Sequence, residues 1–126
     1  MNRPRAALAL VVASTVLGLM GTDLVLPAVP SLPETLGGGP AEAQFVLAAY
    51  VGGTAVGLLV FGALGDRFAT RTLLIASLLL TAIVSFACAT APTIWSLIAL
   101  RTFQGAVASG PAVFAPAIVR AMFDQA

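Results

Sequence analysis

Four stretches of the chain are long and almost unbroken in apolar residues: Ala6 to Ala28, Ala43 to Leu64, Thr72 to Ala91 and Ile94 to Val119. A helix needs about 20 such residues to cross the hydrocarbon core of a bilayer, so each stretch predicts one transmembrane helix. The breaks between them are of the kinds that end helices. Pro27, Pro30 and Pro33 with Gly37-Gly38-Gly39-Pro40 predict an outer loop over 29–42, Gly65 to Arg71 a short charged loop, and Ala91-Pro92-Thr93 a tight turn. Connections this short make consecutive helices antiparallel neighbours. The pattern predicts an all-α integral membrane protein with four transmembrane helices.

The polar positions orient it. Arg3 and Arg5 precede the first span, Arg67 and Arg71 lie between the second and third, and Arg120 follows the fourth, so all five fall on one side. The opposite loops carry Glu34 and Glu42 and no basic residue. The positive-inside rule then places both termini, and the loop over 65–71, in the cytoplasm, with Trp95 as an aromatic anchor at the outer mouth of the fourth span. Arg3 and Arg5 followed by an apolar run also fit a secretory signal. However, the run exceeds the ~7–15 residues of such a signal and no small-x-small cleavage site follows, which favours an uncleaved first helix.

Composition narrows the function classes. Of 126 residues 60% are hydrophobic and 9% charged, with a mean hydropathy of +1.05, whereas about a quarter of a soluble domain is charged. The net charge is +1 with no dense basic cluster, which argues against nucleic acid as a partner. With one cysteine and no histidine, disulfide frameworks, zinc sites and Cys/His nucleophile pairs are excluded, and Cys88 reads as a small packing residue. No G-x-x-x-x-G-K-[ST] loop is present, so ATP use is unsupported. The expectation is a non-enzymatic protein with no cofactor and no metal, driven by a proton gradient.

Two charges stand inside spans. Asp23 and Arg101 would each cost about 2.5–3.5 kcal/mol at a helix centre on an insertion scale. Asp23 lies about seven residues before Pro30 and Arg101 about seven after Ile94, which puts both about 10 Å below the outer surface. Two readings follow. Either they face one polar cavity and sense each other, so that a proton on Asp23 is coupled to a ligand, or they form a fixed structural pair.

Gln104, Ala108 and Ala112 follow Arg101 at helical spacing and give the fourth span a narrow polar-to-small face suited to a water-lined cavity. Met20, Phe45 and Tyr50 are the other candidate lining residues, a soft surface compatible with many cargoes. Gly53 and Gly57 form a GxxxG match, and Gly105 and Ser109 repeat its spacing, which alone signals close helix packing. Pro111 and Pro116 loosen the cytoplasmic half of the fourth span.

The loop Gly62-Ala63-Leu64-Gly65-Asp66-Arg67-Phe68-Ala69-Thr70-Arg71 resembles the G-x-L-x-D-R-x-G-R-R loop between helices two and three of the major facilitator superfamily. Leu100-Arg101-Thr102-Phe103-Gln104-Gly105 is similar to that family's R-x-x-Q-G motif. Asp23-Leu24-Val25-Leu26-Pro27-Ala28-Val29-Pro30 resembles the D-x-x-L-P-x-x-P end of helix one in bicyclomycin-resistance-like drug:proton antiporters. The likeness covers nearly the whole chain.

It implies a proton-coupled exporter of small amphipathic drugs or metabolites in the bacterial inner membrane, working by alternating access. Gly62, Asp66, Arg67 and Arg71 would belong to a cytoplasmic latch, and Asp23, Arg101 and Gln104 to the proton and substrate coupling. The alternative for the latch is that Asp66 caps a helix while the arginines anchor the loop. Ala69, Thr70 and Ala121 depart from the family pattern, and Asp124 is the candidate substitute for the acid missing beside Arg71.

A facilitator half has six helices in two inverted repeats. Four helices predict a fragment of one half, needing helices five to twelve or a complementary chain. A four-helix homodimer of the small multidrug resistance type, and a nontransporting remnant or partner, remain as alternatives. Small-molecule substrate, protons and the lipid bilayer are the expected partners.

Overall fold

Each apolar stretch folds as a helix, because only a helix satisfies its backbone N–H and C=O groups within the segment when no water is at hand. The computed structural model describes residues 3–124, with side chains from Arg5 onward, and the side chain of the topology arginine Arg3 lies outside the described set. Helix α1 spans Arg3–Asp23, α2 Leu32–Leu36, α3 Pro40–Gly65, α4 Thr70–Ala89, α5 Ile94–Ala108 and α6 Gly110–Phe123. Four helical units, namely α1 with the short helices after it, α3, α4 and the α5–α6 column, are long and apolar enough to cross a membrane.

The connection expected to be a loop over 29–42 is largely helical. A 3-10 helix at Leu26–Ser31 runs into α2, with Pro27 and Pro33 in their first turns. Proline's fixed φ suits a first turn, and the N–H it lacks is not needed there, so these prolines start helices instead of dissolving them. The chain reverses only at Gly37 and Gly38, with φ of 79° and 90°, a region that side chains with a Cβ rarely enter. Glu42 then accepts from the Gly39 N–H at 2.8 Å and closes the first turn of α3. At the next outer turn Thr93 and Ser96 cap α5 reciprocally, each side chain bonding the other's N–H at 3.2 Å.

The fourth span is interrupted. Pro111 has no N–H to give the Val107 carbonyl, which accepts from the Ser109 N–H instead, and α6 restarts at Gly110 with Pro111 in its first turn.

The α5–α6 column is the axis of the bundle: α3 and α4 pack on α5, and α4 and α1 on α6. Its closest seam is with α3. A Cβ on Gly53 would collide with the Thr102 backbone, one on Gly57 with Ala106, and one on Gly105 with the Tyr50 carbonyl. The two GxxxG-type patterns therefore interlock, each supplying the gap the other's backbone enters. Apolar clusters close both ends of the bundle. Val29, Ala43, Val46, Ile94 and Leu97 gather at the Trp95 end. Phe61, Leu74 and Phe114 gather toward the Arg67 end, where the two phenyl rings meet edge to face at 5.7 Å. The buried Arg101 and Gln104 lie on α5 in the level between.

Candidate functional site

Arg101 sits in that middle level, 3% exposed. A guanidinium this buried needs acceptors, and α1 and α5 supply them. Its Nη1 donates to the Gln104 Oε1 at 2.6 Å and to the Gly21 carbonyl at 3.0 Å. Gln104, one turn along α5, donates from Nε2 to Ser85 Oγ on α4 at 2.7 Å, and the Cys88 thiol donates weakly to its Oε1 at 3.7 Å. The guanidinium carbon lies 5.3 Å from the centre of the Tyr50 ring, a cation–π contact to α3. Tyr50 in turn donates its hydroxyl to the Gly18 carbonyl at 3.0 Å. One network thus ties α1, α3, α4 and α5 together. Gly21 is needed for the fit, since a Cβ there would meet the Tyr50 hydroxyl at 2.8 Å.

Nη2 of Arg101 is buried and has no partner among the described residues. An unsatisfied buried donor costs about 1–3 kcal/mol, so the network is held one acceptor short. Asp23 does not fill the gap. It is exposed and no ion pair forms among the described residues. Asp23 comes two residues after Gly21, about 200° further round the helix, so its side chain leaves α1 on a different face.

Beside the network, α1, α3 and the α5–α6 column enclose a partly open cavity of about 400 Å³. Its polar lining comes from Ser14, Thr15 and Thr22 on α1, Tyr50 and Thr54 on α3, and Ser109 at the helix break, and small or aliphatic residues supply the rest. A shallower groove shares Thr15 and Ala112 and continues to Arg120.

Of the residues expected to line a cavity, Tyr50 does, and so do Ala108 and Ala112, while Gln104 is spent in the network. Met20 and Phe45 are placed differently. They lie outside this cavity, 42% and 54% exposed. Met20 is two residues, about 200°, from both Gly18 and Thr22, and Phe45 is five residues, about 140°, from Tyr50, so each points off the cavity face.

The latch candidates Gly62, Asp66, Arg67, Arg71 and Asp124 are all exposed at the Arg67 end. Among the described residues no ion pair joins them, including Arg71 with Asp124. Asp66 occupies the C-terminal cap position of α3, and nothing lies within 4 Å of a Cβ built on Gly62.

Sequence reasoning missed Ser85 and gave Cys88 packing alone. Their signal is a polar and small stripe on an otherwise apolar α4, at Ser77, Thr81, Ser85 and Cys88, which repeats at helical spacing and faces the column. Ser14, Gly18 and Thr22 make the matching stripe on α1.

Residues 11–126 match the Major Facilitator Superfamily. The chain belongs to that superfamily. Its members are membrane transporters, not enzymes, so this is a multi-pass membrane protein of a transporter family. Among curated facilitators, it is 34% identical over 97% of its length to the uncharacterized MFS-type transporter YdgK of Bacillus subtilis (strain 168), covering 31% of that protein. It is 23% identical over 99% of its length to the bicyclomycin resistance protein homolog of Haemophilus influenzae, covering 32%. The chloramphenicol resistance protein of Pseudomonas aeruginosa is 33% identical over 85% of this chain, which covers 26% of it. The chain therefore spans about a third or less of the length of these relatives. No solved structure matches it.

Proposed function

We propose that the chain contributes the cavity wall and the coupling centre of a facilitator that expels small amphipathic molecules in exchange for protons. The working form takes the alternating-access route through a bacterial inner membrane, with the arginine-bearing end of the bundle in the cytoplasm. It needs no cofactor. The remaining helices of a facilitator, in the same polypeptide or a complementary one, complete the path. Resistance to bicyclomycin and to chloramphenicol, in the names of two relatives, supports a drug-like cargo.

The observation that carries this reading is the buried Arg101–Gln104 network with one free donor beside a cavity. A membrane-buried guanidinium is costly, and such groups are kept where they move charge or hold a ligand. Arg101 grips α1 at Gly21, two residues before Asp23. While Asp23 is ionised, the unpaired Nη2 of Arg101 attracts it, and a proton on Asp23 removes that attraction. The end of α1 responds, and α1 lines the cavity. Protonation and cavity shape are coupled through one helix.

Uptake of a fluorescent amphipathic dye into inverted membrane vesicles carrying the protein, driven by an imposed pH gradient with the lumen acidic, tests this. Asp23→Asn is expected to abolish the pH-driven component. Undiminished uptake would remove Asp23 from the coupling. For the exposed latch group, exchange of Asp66 or Arg71 for Ala is expected to change the balance between inward- and outward-open states, read by accessibility labelling on either side of the membrane. The role of Asp124 beside Arg71 fails if Asp124→Ala leaves both transport and that balance unchanged.

A further inference from the structure

One end of the cavity holds a hydrogen-bond donor without an internal acceptor. A threonine inside a helix commonly gives its hydroxyl proton to the carbonyl four residues back, as Thr15 does to Val11 at 3.0 Å and Thr54 to Tyr50 at 2.9 Å. For Thr22 that acceptor is the Gly18 carbonyl. Its two lone pairs are taken by the helical N–H of Thr22 itself and by the Tyr50 hydroxyl at 3.0 Å. The Thr22 hydroxyl lines the cavity and is committed to no carbonyl among the described residues. A charge stands behind the same wall. The guanidinium carbon of Arg101 lies 5.3 Å from the centre of the Tyr50 ring, and Tyr50 lines the cavity. Gln104 and Gly21 give this guanidinium neutral oxygens, which ease its desolvation without cancelling its charge. No ion pair forms among the described residues. No carboxylate lines the cavity or the groove that continues from it, and Asp23 leaves α1 on a different face.

We infer that this cavity is a site for compact amphipathic anions, carboxylates above all, whose charged end sits at Thr22 in the field of Arg101. The inference rests on the proposal that the cavity takes cargo, and it names the class. At about 400 Å³ the space suits a small organic molecule. An apolar body meets Leu19, Val51, Leu58 and Ala112. The carboxylate accepts the free Thr22 proton, and the partly open cavity leaves its other lone pairs to water. In the low dielectric of the bundle an unpaired cation one ring away attracts an anion, and repels an ammonium, more strongly than it would in water. A neutral ligand feels neither force. The sign of the ligand's charge therefore orders affinity: anion first, then neutral, then cation. Arg120, on the groove, is the other cation an anionic head could meet, but it is exposed, where water and salt screen it.

Three probes of nearly one shape carry the three charges: phenylbutyrate, phenylbutyramide and phenylbutylamine. Each is titrated at neutral pH against the chain in nanodiscs of zwitterionic lipid by saturation-transfer NMR, with empty nanodiscs subtracted. Phenylbutyrate is expected to bind about tenfold tighter than the amide, and the amide tighter than the amine. Arg101→Met is expected to bring anion and amide level, whereas Arg101→Lys, which keeps the charge, is expected to preserve the order. Thr22→Val removes the donor and keeps the side-chain shape, and it is expected to weaken phenylbutyrate about tenfold, the worth of one hydrogen bond to a charged group, while leaving the amine unchanged. Ala55→Trp, which fills the cavity from an exposed position, is expected to abolish saturable binding. An amide or amine that binds as tightly as phenylbutyrate overturns the anion reading and leaves the cavity as a cargo site. So does an anion preference that survives Arg101→Met, or one that is lost in Arg120→Gln. No saturable binding by any probe, or binding indifferent to Ala55→Trp, overturns the cavity itself and this inference with it.

Discussion

The two sides of the α5–α6 column are built on opposite plans. Toward α3 the column is sealed backbone to backbone, with Gly53, Gly57 and Gly105 each occupying a point where a single methyl group would collide with main chain. Toward α1 the residues at comparable positions are Ser14, Gly18, Thr22, Ala108 and Ala112, and a cavity opens. Neither side has the large aliphatic core of a soluble bundle. In lipid, burying a leucine against another helix gains little over leaving it in the bilayer, so close approach must come from small residues. Small residues seal a seam only where their gaps interlock, and otherwise they leave room. The same side-chain economy makes the rigid seam and the open cavity.

Widening the sealed side is expected to have the largest effect. Gly53→Leu must push α3 off Thr102, and a destabilisation of more than about 4 kcal/mol is expected, seen as loss of the cooperative thermal transition in detergent. Breaking the network that joins the two sides should cost less. Gln104→Leu leaves Arg101 without its shortest acceptor and is expected to cost about 2–3 kcal/mol. In contrast, Arg101→Met removes the buried charge itself, and it is expected to leave stability equal or raised while the pH-driven component of dye uptake disappears. Ser85→Ala removes one neutral hydrogen bond to Gln104 and is expected to cost about 1 kcal/mol in the same melt. Smallest of all, and of opposite sign, Gly52→Ala on the outer face of α3 is expected to stabilise by about 0.5–1 kcal/mol. Nothing lies within 4 Å of its new methyl group. If Gly52 and Gly53 proved equally tolerant, the contrast between the two sides would collapse.

The spans were legible because bilayer thickness imposes length and hydropathy on the sequence directly. The ends were less so. Pro27 and Pro33 read as breakers, yet a proline in a first turn helps a helix, and only position within the element separates the two uses. Within the site, Arg101 and Gln104 stood out because charge and amide are rare in an apolar run. Ser85 did not, since serine passes unremarked in membrane helices and its importance comes from a partner on another helix. Phe45 and Met20 lie off this cavity for a related reason: the rotation of the helix that carries a side chain is not part of its chemical character. The carbonyls of Gly18 and Gly21 carry no side-chain signal at all, although two of the network's bonds end on them.

The interruption at Ser109 sets the mechanics of the fourth span. Its hydrogen-bond ladder already lacks the rung that Pro111 would have supplied, so bending there sacrifices no bond that a straight helix would hold. The span is two helical rods joined at Ser109 instead of a single beam. Ser77 on α4 sits against this joint, its side chain occupying the space a Cβ on Gly110 would need. The lower rod carries Arg120 and packs on α4 and α1, while the upper rod meets the glycine seam and carries Arg101.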